Sequence, residues 1–201
     1  MIFIFREEKR EEMFLIKAIG AAMLAYGVSG QEDKANYSEF ASAIAPTGLN
    51  WEPYQVKSSD GWFITVFRVY GDTIKEDTLP IYAVHGTGGV AADWVGSWLM
   101  DLTGQGYELW LASVRGRQYG AINENDGKWS LKERWDFSLP EQSMLDTPLM
   151  VEKALEVSGK PKVTLVGYSE GTFVMYYALA KNQDYWAQKA ARYIAIASLG
   201  P

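Results

Sequence analysis

Val163-Thr164-Leu165-Val166-Gly167-Tyr168-Ser169-Glu170-Gly171-Thr172 is the stretch that decides the fold. Its first four residues are β-branched or aliphatic, as in a buried strand. Its last residues open a helical pattern over Gly171 to Ala180. Between them stands G-x-S-x-G, with Ser169 in the middle. A serine on a sharp strand-to-helix turn has strained backbone angles and an exposed hydroxyl. Gly167 and Gly171 remove side chains that would collide at such a turn. The N-terminus of the following helix favours negative charge close to the hydroxyl. Ser169 is therefore the candidate nucleophile.

Reading outward, strands and helices alternate. Trp62 to Tyr70 reads as an early strand between Asp60-Gly61 and Gly71-Asp72. Leu79 to Val84 reads as a buried strand running into His85-Gly86-Thr87-Gly88-Gly89. Ala92 to Leu102 has Trp94, Val95, Trp98, Leu99 and Leu102 on one helical stripe. Tyr107 to Ala112 is the next strand. Ser138-Leu139-Pro140-Glu141 is a capping box, and its helix runs to about Ser158 and stops at Gly159. Lys162 to Val166 and Tyr193 to Ala197 are further strands. This order predicts an α/β fold with a mostly parallel sheet. Acyl transfer also needs two backbone N–H groups aimed at the developing oxyanion. Glu170, directly after the serine, supplies one candidate. Thr87, in the loop opened by His85 and Gly86, supplies the other.

The composition narrows the function. The chain has 201 residues, 48% hydrophobic, with a net charge of −6, no cysteine and one histidine. A core of useful size is possible at this length. The acidic balance and the lack of a basic cluster argue against a nucleic-acid partner. Disulfides, thiolate metal sites and multi-histidine zinc sites are excluded, and no metal or cofactor is expected. Residues 13 to 30 have charges upstream, a short apolar stretch from Ala18 to Val28, and small residues at Val28-Ser29-Gly30. That predicts a signal peptide over residues 1–30, cleaved after Gly30, with residues 1–12 as a spurious extension before Met13. The stretch is shorter than the roughly 20 apolar residues of a membrane span. Asn36-Tyr37-Ser38 is an N-glycosylation sequon. The 8 Trp and 12 Tyr could line a lipid site, but such residues more often fill a core.

Four segments together resemble the acid lipase family, the α/β hydrolases that include gastric and lysosomal acid lipases. Ala83-Val84-His85-Gly86 with Trp94 nearby is similar to that family's oxyanion strand and loop. Tyr107-Glu108-Leu109-Trp110-Leu111-Ala112-Ser113-Val114-Arg115-Gly116 resembles its "YDVWLGNSRG". Trp135-Asp136-Phe137-Ser138 followed by Asp146-Thr147-Pro148 resembles "WDFS…YDLP". Gly167-Tyr168-Ser169-Glu170-Gly171 stands where the family has "GHSQG". The resemblance implies an α/β-hydrolase fold over residues 31–201, truncated after about the sixth strand. It implies a serine ester hydrolase acting on acylglycerol or sterol esters, secreted or in the lysosomal or vacuolar lumen. It also implies a triad Asp and His, in the order Ser, acid, His.

After Ser169 the sequence holds Glu170, Asp184 and no histidine. His85 belongs to the oxyanion loop, where it is expected to order backbone rather than act as base. Asp136 and Asp146 precede the serine and read as structural, Arg115 as a structural loop residue, and Asp184 as part of a helix-to-strand connection. The chain is therefore expected to be an incomplete hydrolase, inactive or nearly so by itself. The alternative is a non-catalytic hydrolase-fold protein serving as a binding or structural subunit, with a partner chain over its open sheet edge. The departures at Tyr168 and Glu170 alter the elbow, and Glu170 puts a carboxylate beside the oxyanion site.

Overall fold

The computed structural model describes residues 31–198. The expected signal peptide and its cleavage after Gly30 lie outside the described residues. Seven strands form one sheet: β1 (Asn50–Lys57), β2 (Trp62–Tyr70), β3 (Ile81–Val84), β4 (Leu109–Ala112), β5 (Ile122–Asn123), β6 (Val163–Tyr168) and β7 (Ala190–Ile196). The order is β1-β2-β4-β3-β6-β7, with β5 on β2. β3 pairs in parallel with both β4 and β6, and β6 with β7. β1, β2 and β5 join by antiparallel pairing. Five of these strands are the ones read from the sequence; β1 and the short β5 are added to them, because neither carries a clean alternation. Helices are α1 (Ser38–Ile44), α2 (Leu131–Arg134), α3 (Leu139–Glu141), α4 (Thr147–Ser158), α5 (Glu170–Lys181) and α6 (Gln183–Lys189). Among the described residues, no helix is long and apolar enough to cross a membrane.

The sheet is covered on both faces, so its central strands read as unbroken apolar runs. Tyr82 and Val84 of β3 point to one face, with Trp110 and Leu165, against Met150, Val151 and Ala154 of α4 and Val174 and Met175 of α5. Ile81 and Ala83 point to the other, with Leu109, Leu111 and Val166, against Phe40 and Ile44 of α1 and Trp94 and Leu99. Phe40 stacks flat on Phe67 with centroids 3.9 Å apart. After β3 the chain goes to β4 on one side and later to β6 on the other. The crevice beyond the carboxyl ends of β3 and β6 is thus a topological switch point, where ligands bind in open α/β sheets.

Two elements differ from expectation. Ala92 to Leu102 is not one helix but two 3₁₀ segments, Ala91–Trp94 and Trp98–Gln105. Gly96 breaks it with φ at +85°, and the Ser97 side chain caps Leu99 N–H at the restart. Asp184 sits inside α6, not in a connection. The helix expected from Ser138 does form, with Glu141 accepting from both Ser138 N–H and Oγ–H. It contains a π turn, Gln142–Asp146, before α4. It ends at Gly159 with φ +68°.

Arg115, placed just beyond β4, is fully buried and holds three segments at once. It donates from Nε and Nη2 to the Asp146 carboxylate, at 2.8 and 2.6 Å. It donates from Nη1 and Nη2 to Asp60 in the β1–β2 turn, at 2.5 and 3.1 Å. Its guanidinium also lies over Trp62 and Phe137. Burial alone would lower the Arg115 pKa, but the two carboxylates outweigh it and push it up. Burial pushes the Asp146 carboxyl up, to about 6, against the pull of the guanidinium. Desolvation of Asp60 is outweighed by Arg115 and Ser58, which hold it below the usual carboxylate range. Breaking one partner of a buried pair strands the other charge. Arg115→Leu should therefore lose about 3–5 kcal/mol of unfolding free energy in urea. Arg115→Leu combined with Asp146→Leu should lose less than the single change. Equal losses would mean that Asp146 is not left uncompensated.

Candidate active site

Ser169 stands between β6 and α5 with φ 49° and ψ −113°. A non-glycine residue in such a region costs on the order of 1–3 kcal/mol and persists only when its surroundings over-determine it. Here they do. Ser169 N–H donates to Ile196 C=O at the end of β7, at 3.0 Å. Its own C=O accepts from Thr172 N–H at 2.9 Å and from Thr172 Oγ1–H at 2.6 Å. The glycines are required by close approach. A Cβ on Gly171 would fall 2.4 Å from Val84 C=O, and one on Gly167 would fall 2.6 Å from Gly171 C=O. Glu170 is the first residue of α5, where a backbone N–H has no intrahelical acceptor.

The loop after β3 comes up to the same place. A Cβ on Gly86 would meet the Tyr168 ring at 3.0 Å and Ser169 Cβ at 3.1 Å. Gly86 C=O accepts from Gly89 N–H at 3.0 Å, closing a tight turn over Thr87 and Gly88. Gly88 has φ +74°, which glycine adopts without a Cβ penalty. Thr87 is exposed at the corner of this turn. A cleft of about 350 Å³ opens alongside, lined by His85, Gly86, Thr87, Gly89, Asp93, Trp94, Ser97, Trp98, Tyr168 and Ile196. The sequence thus brings the elbow, His85, Gly86 and Thr87 into one place. Asn36 lies apart, exposed in the 3₁₀ turn Lys34–Tyr37.

His85 is buried and both ring nitrogens are engaged. Nε2 lies 3.4 Å from Val114 N–H and accepts from it. Nδ1 lies 2.8 Å from Gly86 C=O, so it carries the proton. The ring is the neutral Nδ1–H tautomer, clamping the loop to the segment after β4. Burial lowers its pKa, more than the Gly86 hydrogen bond and the nearby Asp93 and Glu170 carboxylates raise it, with Arg117 acting alongside burial. Asp146 is spent on Arg115, and Asp184 is on α6. Among the described residues, none therefore offers Ser169 a free imidazole. No group of three or more His, Asp or Glu among them is arranged to hold a metal.

A family model described as the alpha/beta hydrolase fold matches residues 80–200. The chain belongs to the α/β hydrolase fold family. Within it, the chain is acid lipase-like. It is 31% identical to Lipase lipl-1 of Caenorhabditis elegans over 73% of this chain and 38% of that protein. It is 28% identical to gastric triacylglycerol lipase of Mus musculus over 91% of this chain and 48% of that protein. The chain thus spans about half or less of the length of these relatives. Among solved structures, naproxen esterase of Bacillus subtilis is similar in fold, with TM-score 0.52 and 14% identity over 79% of this chain and 47% of that one.

Sequence reasoning placed Trp94 and Trp98 on a core stripe. In this hydrolase fold Trp94 is buried while Trp98 is 52% exposed, and both line the cleft. Asp93 and Ile196 were missed as lining residues. The spacing of Asp93 three residues after Val90 is the available signal, because Asp93 Oδ2 accepts Val90 N–H at 2.9 Å.

Two outcomes check this geometry. Gly171→Ala should destabilise by about 1–3 kcal/mol or more, because the Cβ meets backbone that cannot rotate away. The chain has a single imidazole, so its NMR titration is unambiguous. Its midpoint should fall below the ordinary value of about 6.5, and a midpoint at or above it would release His85 from the clamp.

Proposed function

We propose that this chain carries the nucleophile half of a serine ester hydrolase acting on lipid esters. One observation carries the reading: a strained serine, held at φ 49°, packed against the glycine loop after β3, where a Cβ on Gly86 would fall 3.1 Å from Ser169 Cβ. In this reading Ser169 Oγ attacks the ester carbonyl carbon. The carbonyl π pair moves onto oxygen, and the Thr87 and Glu170 N–H groups hold that oxyanion. The Oγ proton passes to a base, and the alcohol leaves with a proton as the C–O bond breaks. Water then hydrolyses the acyl-enzyme by the same steps. The base and its carboxylate are residues outside the described ones. His85 does not take that role, because its Nε2 lone pair is already used.

The names of the relatives, lipases including a gastric one, support the substrate class. They also support a secreted or lumenal location, with residues 1–30 as a signal peptide and residues 31–201 as part of the hydrolase domain. Asn36 is exposed and open to glycosylation. A second reading is a binding or structural subunit. It is favoured by β7, which pairs only with β6 among the described residues and leaves Ile194 43% exposed. In that reading a partner chain covers this edge.

The two separate on one reagent. In the protein as its source produces it, a fluorophosphonate should label Ser169, and Ser169→Ala should abolish labelling; the 201-residue chain alone should label orders of magnitude more slowly, because no described residue activates Oγ. Turnover of a chromogenic ester by the 201-residue chain should be orders of magnitude below that of complete enzymes, since removing the triad base has that effect. A serine left unlabelled in the folded protein as its source produces it would favour the subunit reading. Full turnover would mean that a base has gone unrecognised.

A further inference from the structure

The lining of the cleft beside Ser169 combines aromatic rings with one negative charge. Trp94 and Tyr168 meet at 75° with centroids 6.4 Å apart, forming a corner. Trp98 and Tyr168 remain 52% and 46% exposed, unusually open for such large rings. Ile196 adds an aliphatic patch. Asp93 is the one acidic side chain lining the cleft, and no Lys or Arg lines it. His85 is neutral there for the reasons given above. Outside the lining, Glu170 and Arg117 both act on His85 and oppose each other.

Three ligand chemistries can be weighed against this lining. A carboxylate or phosphate would be repelled by Asp93 and by the negative faces of the rings. A plain acyl chain would gain from the rings but would strip water from Asp93 with nothing in return. A quaternary ammonium group gains from both, since its apolar methyl skin packs on aromatic faces and its charge is attracted to them and to the carboxylate. We propose that this cleft takes a quaternary ammonium group, so that the ester cleaved at Ser169 carries one. The ester part rests on the hydrolase reading; the binding part does not.

The test uses the whole chain and a matched pair of probes, choline and 3,3-dimethylbutan-1-ol. The alcohol replaces the ammonium nitrogen by carbon at nearly the same shape. Binding is read from tryptophan fluorescence, with Trp98 the exposed reporter. Choline should bind at least about fivefold tighter than the alcohol, within the range of a desolvated cation–π contact. Asp93→Asn should cut that preference by at least about twofold while the rings keep the remainder, because it removes the charge while its amide oxygen still accepts Val90 N–H. Trp98→Ala, whose binding is read by calorimetry because the reporter is gone, should also weaken choline by at least about twofold.

Equal or tighter binding of the alcohol overturns the proposal, and so does a choline preference that Asp93→Asn leaves intact. If Asp93→Asn does not fold, the wild-type pair decides alone. Phosphonate labelling of Ser169 in the protein as its source produces it separates the two readings. Labelling there without a choline preference sinks this inference and spares the hydrolase. A choline preference without labelling keeps the ammonium site and removes the ester.

Discussion

The site depends on one close approach, the backbone of α5 at Gly171 passing under Val84 C=O with no room for a side chain. Because β3 and β6 are neighbours in parallel register, with Val84 opposite Gly167, the chain must turn out of β6 directly beside the end of β3. Only a residue without Cβ can occupy the crossing point. The turn that results is tight enough to force Ser169 to positive φ. The same tightness brings Gly86 into contact with Ser169. Strand adjacency, helix start, nucleophile strain and oxyanion loop therefore follow from a single packing requirement. A substitution at Gly171 should disturb the site through geometry, although the residue touches no substrate.

A second constraint acts on the loops that hang from the same edge of the sheet. Loop backbone has no ladder to hold it, and these segments must stay put beside a catalytic residue. Arg115 holds them by satisfying two carboxylates, Asp60 and Asp146, far apart in sequence, with one rigid donor fork. A buried ion pair is poor evidence for net stability, since desolvation offsets much of its attraction. Its value here is directional. Four guanidinium hydrogen bonds fix the β1–β2 turn, the segment after β4 and the π turn before α4 relative to one another. An apolar triplet of equal volume could pack as well, but it would not set those positions.

The contrast between the two constraints explains what the sequence reveals. The Gly171 crossing is local: a strand, five residues of G-x-S-x-G and a helix are contiguous, so pattern alone finds them. The same holds for His85-Gly86 after an apolar strand, and for the capping box at Ser138. The Arg115 network is not local. Asp60, Arg115 and Asp146 are far apart in sequence, and Asp146 on its own looks like any acidic residue near a helix start. The misread helix at Ala92 to Leu102 has a different cause. Its apolar spacing suits a helix, but a single Gly at positive φ splits it, and the split turns Trp98 from the core to the cleft. Periodicity reports which residues are apolar, not which way a broken helix faces. Asp93 left only its spacing from Val90 as a signal, and its place in the cleft exists only once the loop has folded.

In the proposed reading the described residues carry the electrostatic half of acyl transfer. The amides proposed for it, at the start of α5 and at the Thr87 corner, sit on a fixed turn and helix end, so they would cost no reorganisation during reaction. Proton transfer is a separate requirement, and the one imidazole present is committed to holding the loop. The two tasks are incompatible for His85. To accept the Ser169 proton it would have to release Val114 N–H, leaving a buried donor unpaired at a cost of about 1–3 kcal/mol. It would then have to carry charge where burial disfavours it. In the proposed reading, therefore, a histidine that clamps the loop after β3 to Val114 N–H does not also serve Ser169 as base, and a different group must take the proton.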